Sequence, residues 1–286
     1  VFELLVISGK GGTGKTSLVG ALAMLAKGKV LVDCDVDAPD LHLLLHPEEE
    51  SSNEFWGGYK ASINIERCTR CGLCEEACRF EAIKNFRVDP IFCEGCGVCF
   101  RLCPVGAIQF RQLAVGYWYI SRTNFGPLVH ARLGVGEENS GKLVTVIRQA
   151  ARNLARERGL NLIIIDGPPG IGCPVISSLT GVSLALVVTE PTVAGKHDLE
   201  RVMNLARHFR VPAVIAINKF DLALEKSEEI EDYCAQQGLE IAGKIPFDEE
   251  VNRALSRGQS FLTNKYSKAA RAVTSLWEKL QVRLGS

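Results

Sequence analysis

The sequence carries no excess charge. Its 286 residues hold 33 lysines and arginines against 33 aspartates and glutamates, a formal net charge of +0. Binding a polyanion calls for a surplus of cations, so nucleic acid is not an expected partner. Nor is there an uninterrupted apolar run of the roughly 18 residues that a membrane span takes, and a membrane is not an expected partner either. The first residues hold no basic region leading into an apolar stretch and a cleavage site. They run directly into a strand and a glycine-rich loop, and a cytoplasmic location is expected. Hydrophobic residues at 47% and charged residues at 23% are ordinary for a sizeable core, and the length suggests about two domains.

Cysteine is the residue in surplus, with eleven. Thiols stay reduced in the cytosol, which excludes a disulfide framework; clustered cysteines there bind metal or carry out redox chemistry. Eight of them lie between Cys68 and Cys103, in an internal repeat. Cys68, Cys71, Gly72, Cys74, Cys78, Ala82 and Ile83 recur 25 residues on as Cys93, Cys96, Gly97, Cys99, Cys103, Ala107 and Ile108. Residues 60–111 are therefore expected to form an inserted, pseudo-symmetric domain. After it, residues 116–133 read as a β-hairpin around an Asn-Phe-Gly-Pro turn.

Elsewhere, strand-like and helix-like runs alternate, the pattern of an α/β protein with a mostly parallel sheet and helices on both faces. Strands are predicted at 3–7, 30–33, 161–166, 184–189, 213–218 and 240–245, several of them continuous apolar runs suited to burial on both faces. Helices are predicted after Lys15 and at 143–158, 197–209, 228–237, 249–257 and 267–284. The stripe of Val273, Leu276, Trp277 and Leu280 in the last helix fits a core-facing side better than a membrane foot.

Gly9-Lys10-Gly11-Gly12-Thr13-Gly14-Lys15-Thr16-Ser17 follows the first strand and opens a helix. It matches G-x-x-x-x-G-K-[ST] in the required context. Glycines let backbone N–H groups turn toward phosphate oxygens, and the helix N-terminus adds partial positive charge. Lys15 is expected on the β- and γ-phosphates and the Thr16 hydroxyl on Mg²⁺. Asp33, Asp35 and Asp37 follow the second strand; spaced by two, they would share one side of an extended segment and repel, a cost that a nearby cation offsets. Asp166 closes an Ile-Ile-Ile strand. Asn218-Lys219-Phe220-Asp221 closes another, with the N-K-x-D pattern that reads guanine in GTPases, and Ile245-Pro246-Phe247-Asp248 follows the next.

Lys10 is a second lysine that a phosphate loop does not need. With it, the loop resembles that of the MinD/ParA-type deviant Walker ATPases, a group that includes the nitrogenase iron protein and the Mrp-type iron–sulfur carriers. Asp33-Cys34-Asp35-Val36-Asp37-Ala38-Pro39-Asp40 and Asp166-Gly167-Pro168-Pro169-Gly170 carry the same resemblance. It implies a P-loop NTPase fold made of residues 1–59 and 112–286, which bind and hydrolyse ATP with Mg²⁺. Lys10 would reach across a nucleotide-dependent homodimer, or a heterodimer with a paralogue, to the partner's nucleotide. Asp35 would orient the attacking water, Asp33 would lie near the metal, and Asp166 would act on Mg²⁺ through water. Asn218, Lys219 and Asp221, with Pro246 and Asp248, would contact base and ribose. The paired lysines favour ATP over GTP.

The spacing C-x-x-C-x-x-C-x-x-x-C, present twice, resembles that of bacterial two-cluster ferredoxins. There each triple loop holds one [4Fe–4S] cube and its fourth cysteine ligates the other. The resemblance implies one cluster on Cys68, Cys71, Cys74 and Cys103, and a second on Cys93, Cys96, Cys99 and Cys78. Gly72, Gly95 and Gly97 would let the backbone wrap closely. Arg79 replaces the proline found at Pro104 in the other repeat. Two tetrahedral zinc sites are the alternative, disfavoured by the triple spacing. Cys34 and Cys234 read as core fillers. Cys173, seven residues after Asp166, matches the offset of a cluster ligand in the nitrogenase iron protein, but no second cysteine stands near residues 137–140. The expected function is an ATPase that couples nucleotide state and dimerisation to electron transfer toward a redox or Fe–S client protein. An Fe–S carrier scaffold is the alternative, and a positioning switch a third reading.

Overall fold

The computed structural model describes residues 1–134, 140–264 and 266–284. Residues 137–139, near which a second cysteine to match Cys173 is lacking in the sequence, lie outside them. Contacts divide the chain into two compact units. One holds Val1–Ser52, Tyr119–Ala131 and the described residues from Ser140 on; the other holds Asn53–Trp118 and the described residues from Arg132.

The first unit begins with β1 (Phe2–Ser8), α1 (Lys15–Leu25), β2 (Lys29–Asp33) and the short α2 (Leu41–Leu45). The chain passes through β3 (Glu48–Ile63) into the second unit, which holds α3 (Leu73–Glu76), the antiparallel pair β4 (Ile83–Lys84) and β5 (Arg87–Val88), and α4 (Val98–Leu102). It returns through β6 (Ile108–Thr123) and β7 (Gly126–Leu133). The rest is α5 (Ser140–Glu157), β8 (Leu162–Pro169), α6 (Cys173–Leu179), β9 (Leu184–Thr189), α7 (Val193–His208), β10 (Ala213–Asn218), α8 (Leu224–Gln236), β11 (Ile241–Ile245), α9 (Glu249–Ser256) and α10 (Lys268–Leu284).

In the first unit the strand order β11-β10-β9-β1-β8-β2-β7 runs parallel throughout. Side chains alternate across a strand, so β1 shows how both faces are covered. Leu4 and Val6 join a core cluster with Leu18 and Leu22 of α1 and Val273, Leu276 and Trp277 of α10. Leu5 and Ile7 point the other way and are equally buried, on the side where α6 and α7 pack against β1. The α10 stripe thus faces the core, and no described helix is long and apolar enough to cross a membrane.

All six predicted strands and six predicted helices are present. The hairpin is present too, with a two-residue turn pinned by Thr123, whose hydroxyl donates to the Gly126 carbonyl at 2.6 Å and accepts the Phe125 amide at 3.1 Å. Its first arm, however, starts at Ile108 rather than 116, and β3 was not foreseen at all. Glu48–Asn53 is polar and Gly57-Gly58 interrupts any alternation, so periodicity is weak there. The expected insert, 60–111, lies inside the second unit, and β3 and β6 each contribute residues to both units.

Candidate functional site

The phosphate loop joins β1 to α1. Gly14 is left-handed at φ 87°, and a Cβ there would come within 2.5 Å of Asn218 Nδ2, so only glycine fits. Asn218 Nδ2 donates to the Thr13 carbonyl at 2.7 Å, which fastens the end of β10 to the loop. Residues Gly11 to Leu18 line a cavity of about 500 Å³ with Asp35, Asp40, Asn218, Lys219, Pro246, Phe247 and Asp248. Its apolar wall comes from α9 and α10 through Val251, Leu255, Ala269 and Val273. These wall residues carried no local motif; they meet only because α10 folds back on the sheet.

Lys15 is buried, and its Nζ lies 3.8 Å from Asp166 Oδ1. Asp166 pairs in register with Asp33 on the neighbouring strand, and both are 1% exposed. Burial pushes the Asp166 carboxyl up to about 6, against the pull of Lys15 and the Thr16 hydroxyl. Burial, then the Asp166 charge, raises Asp33 well above the usual range. Burial also raises Asp35, with Lys15 opposing. Asp166 Oδ1 and Thr13 Oγ1 are buried without a hydrogen-bond partner among the described residues. Unsatisfied oxygens of this kind are costly, and hydrated Mg²⁺ and a phosphate group are suitable partners for this donor set.

The three aspartates do not share one side of an extended segment, as had been expected. Asp33 Oδ1 accepts the Asp35 amide at 3.0 Å and Oδ2 the Leu41 amide at 3.1 Å. This turns the chain as it leaves β2, so Asp35 is half-buried at the cavity while Asp37 is exposed.

The base-side residues are tied up locally. Asp221 does not line the cavity; its Oδ1 accepts the Phe247 amide at 2.6 Å. Asp248 lines it, but Oδ1 caps α9 through the Glu250 amide at 3.0 Å and Oδ2 accepts Ser267 Oγ at 2.8 Å. Burial pushes Asp248 up, but these bonds outweigh it and hold its carboxyl below the usual range. Gly9 and Lys10 also stand outside the cavity lining. Lys10 Nζ lies 3.3 Å from Glu190 Oε2, a residue that sequence reasoning passed over although it directly follows a buried parallel strand, where ligand-binding groups of such sheets gather.

In the second unit the eight repeat cysteines line two separate cavities. One is lined by Cys68, Cys71, Cys74 and Cys103, the other by Cys78, Cys93, Cys96 and Cys99. Each cavity thus takes three cysteines from one repeat and the last cysteine of the other. Gly72, Gly95 and Gly97 all adopt positive φ. The amides of Arg70 and Ala107 donate to Cys68 Sγ at 3.4 Å and Cys103 Sγ at 3.2 Å. At Cys103 slight burial is outweighed by the surrounding amides, Ala107 first, and its thiol lies below the ordinary value. Among the described residues no group of three or more His, Cys, Asp or Glu is drawn together as a metal ion requires. A [4Fe–4S] cube takes one thiolate on each of its four irons. The all-thiol donor sets fit such cubes. Cys34 and Cys234 are buried, and Cys173 is exposed.

A glycine-bent loop between a buried parallel strand and a helix, faced by carboxylates from two neighbouring strands, defines a P-loop nucleotide-binding protein of the α/β class. The chain belongs to the CobQ/CobB/MinD/ParA nucleotide binding domain family, whose profile matches residues 4–261. It is 36% identical over 284 residues to an uncharacterized protein of Methanocaldococcus jannaschii, covering 98% of this chain and 97% of that one. It is 22% identical to the iron–sulfur cluster carrier protein of Pyrococcus horikoshii, over 99% of this chain and 86% of that one. Among solved structures, the septum site-determining protein MinD complexed with Mg-ADP from Pyrococcus horikoshii superposes with a TM-score of 0.60 at 17% identity, over 99% of this chain and 97% of that chain. The fold is that of the α/β P-loop NTPases.

Proposed function

We propose that the chain is a Mg²⁺-dependent ATPase that carries two [4Fe–4S] clusters and couples nucleotide state and dimerisation to electron transfer toward a redox client. The observation that carries the iron–sulfur half is the lining of the two cysteine cavities, each with the three cysteines of one C-x-x-C-x-x-C run and the last cysteine of the other, which is the ligand plan of two-cluster ferredoxins. When bound, the clusters supply one-electron carriers.

The chain's own residues supply the rest. Backbone amides of Gly11 to Thr16 and the Lys15 ammonium would bind the phosphates, and the Thr16 hydroxyl and Asp166 would hold hydrated Mg²⁺. Charge spread over the transferring phosphoryl group is stabilised by such preorganised donors. Asp35, at the cavity beside Lys15, would orient the attacking water. Lys10 lies outside its own cavity lining, consistent with service to the partner's nucleotide. Asp221 supports ATP over GTP, because it stands outside the cavity lining, with Oδ1 accepting the Phe247 amide.

Anaerobically purified protein is expected to hold about eight irons and eight acid-labile sulfides per chain, four of each per cube. Stoichiometric zinc with little sulfide would overturn the iron–sulfur reading. A cluster-carrier role is the second reading, favoured by the name of the Pyrococcus relative; against it, each cavity already has four thiols and leaves no ligand position for transfer.

A further inference from the structure

The exit from β9 carries an acidic side chain that the nucleotide chemistry leaves unused. Glu190 follows Thr189, and its side chain is 13% exposed. Oε2 lies 3.3 Å from Lys10 Nζ and Oε1 2.6 Å from Lys219 Nζ. Lys10 Nζ also donates to Thr192 Oγ1 at 3.5 Å, and Lys219 Nζ donates to the Gly12 carbonyl at 3.4 Å. The bend that presents Glu190 is stiff. The Thr192 amide donates to the Glu190 carbonyl at 2.8 Å, and Thr192 Oγ1 accepts the Gly195 amide at 2.9 Å. A Cβ at Gly195 would come within 2.2 Å of the Glu190 carbonyl oxygen, so the bend closes only around glycine.

We propose that Glu190 is a positioning residue that retains Lys10 in its own subunit until the phosphates of a nucleotide-loaded partner draw it away. The proposal rests on the reading of Lys10 as a residue that acts across the dimer. One ammonium cannot serve both partners: a side chain held against Glu190 is withdrawn from the facing subunit. A triphosphate offers more negative charge than a diphosphate, and so competes better with the single carboxylate. The second contact makes release feasible. When Lys10 leaves, Glu190 keeps Lys219 at 2.6 Å, so a shielded carboxylate is not left without a cation, the outcome that makes breaking such pairs expensive. Glu190 would thus set how much partner and how much γ-phosphate the dimer requires.

The test is sedimentation of the full-length protein with a non-hydrolysable ATP analogue, in four forms: parent, Glu190→Gln, Lys10→Ala and the double variant. A partly exposed ion pair is worth about twofold to fivefold, and two open per dimer. Glu190→Gln is therefore expected to lower the dimer dissociation constant about fourfold to twenty-fivefold. In the Lys10→Ala background, sedimented at protein concentrations raised until its weakened dimer is populated, it should change it less than about twofold, since additivity fails only where the two side chains interact. An equal change in both backgrounds, which would act through Lys219, overturns the proposal, as does no change in either. Lys10→Ala alone reports on the underlying reading. If it weakens the dimer while Glu190→Gln does nothing, only the retention role falls; if it leaves the dimer intact, the trans reading falls and takes this proposal with it.

Discussion

At the scale of single residues, the two loop lysines separate cleanly. Lys15 is buried against Asp166, whereas Lys10 is partly exposed and turned to Glu190. Lys15→Ala is expected to abolish nucleotide binding, while Lys10→Ala keeps binding and loses hydrolysis and ATP-driven dimerisation; calorimetry and phosphate release read the two separately. Equal loss of binding in both variants would count against distinct roles. The crossed cysteine sets give a second contrast. Cys78 lines the cavity of Cys93, Cys96 and Cys99, and Cys103 that of Cys68, Cys71 and Cys74. Cys78→Ala should perturb the cluster of the second repeat and Cys103→Ala that of the first, so the two variants should lose different components of the reduced spectrum. Identical residual spectra would refute the crossing.

At the scale of elements, β1 is tied to α5 by a buried ion cluster. Glu3 on the strand accepts from Arg148 and Arg152 on the helix. Arg148 also donates to the carbonyls of Ser177 at 2.7 Å and Thr180 at 2.9 Å, at the end of α6. Removing one partner of a buried pair leaves the other charge uncompensated, so Glu3→Ala is expected to cost about 3–5 kcal/mol in urea denaturation at pH 7. Burial alone would raise the Glu3 carboxyl, but the two guanidinium groups outweigh it and hold its pKa below the ordinary 4.5. A carboxylate depressed on folding contributes stability above its unfolded pKa and loses it as pH falls through the folded one. The Glu3 contribution should therefore be complete at pH 7 and fade below about pH 4.5, and Glu3→Gln should flatten that part of the acid limb. An acid limb unchanged by the substitution would refute the assignment.

For the molecule as a whole, the question is whether nucleotide state reaches the cysteine unit. Chain connectivity gives a reason to look: the second unit is entered after the Asp33–Asp40 segment and left before the strand that ends near Asp166. A ligand shifts an equilibrium only by its differential affinity for the two states, and coupling free energies are typically about 1–3 kcal/mol. For a one-electron couple that is roughly 40–130 mV. Redox titration with ATP analogue and with ADP is expected to show a difference of that size. Coincident potentials, together with equal electron-transfer rates to an artificial acceptor, would mean that the units are merely joined, and the carrier reading would then move ahead.

Much of this was legible along the chain because it is encoded locally. The phosphate loop needs glycines and a lysine at fixed spacing, buried parallel strands need continuous apolar runs, and a cysteine repeat is visible as text. The motif residues from Gly11 to Ser17, with Asp35, Asn218, Pro246 and Asp248, do converge on one cavity. Other features depended on distant neighbours. The apolar cavity wall exists only because α10 packs back beside β11. The carboxylates of Asp221 and Asp248 pattern as ligands for a base, yet Asp221 meets the Phe247 amide and Asp248 the Ser267 hydroxyl, both brought near by the fold. The long strand β3, polar at its start and interrupted by glycines, takes its form from a neighbouring strand rather than from its own periodicity. Residue type and spacing determined which chemical groups the chain can present; the partners that claim each group, Glu190 on Lys10 above all, were decided only in three dimensions, because hydrogen bonds and ion pairs act over a few ångströms of space irrespective of separation in sequence.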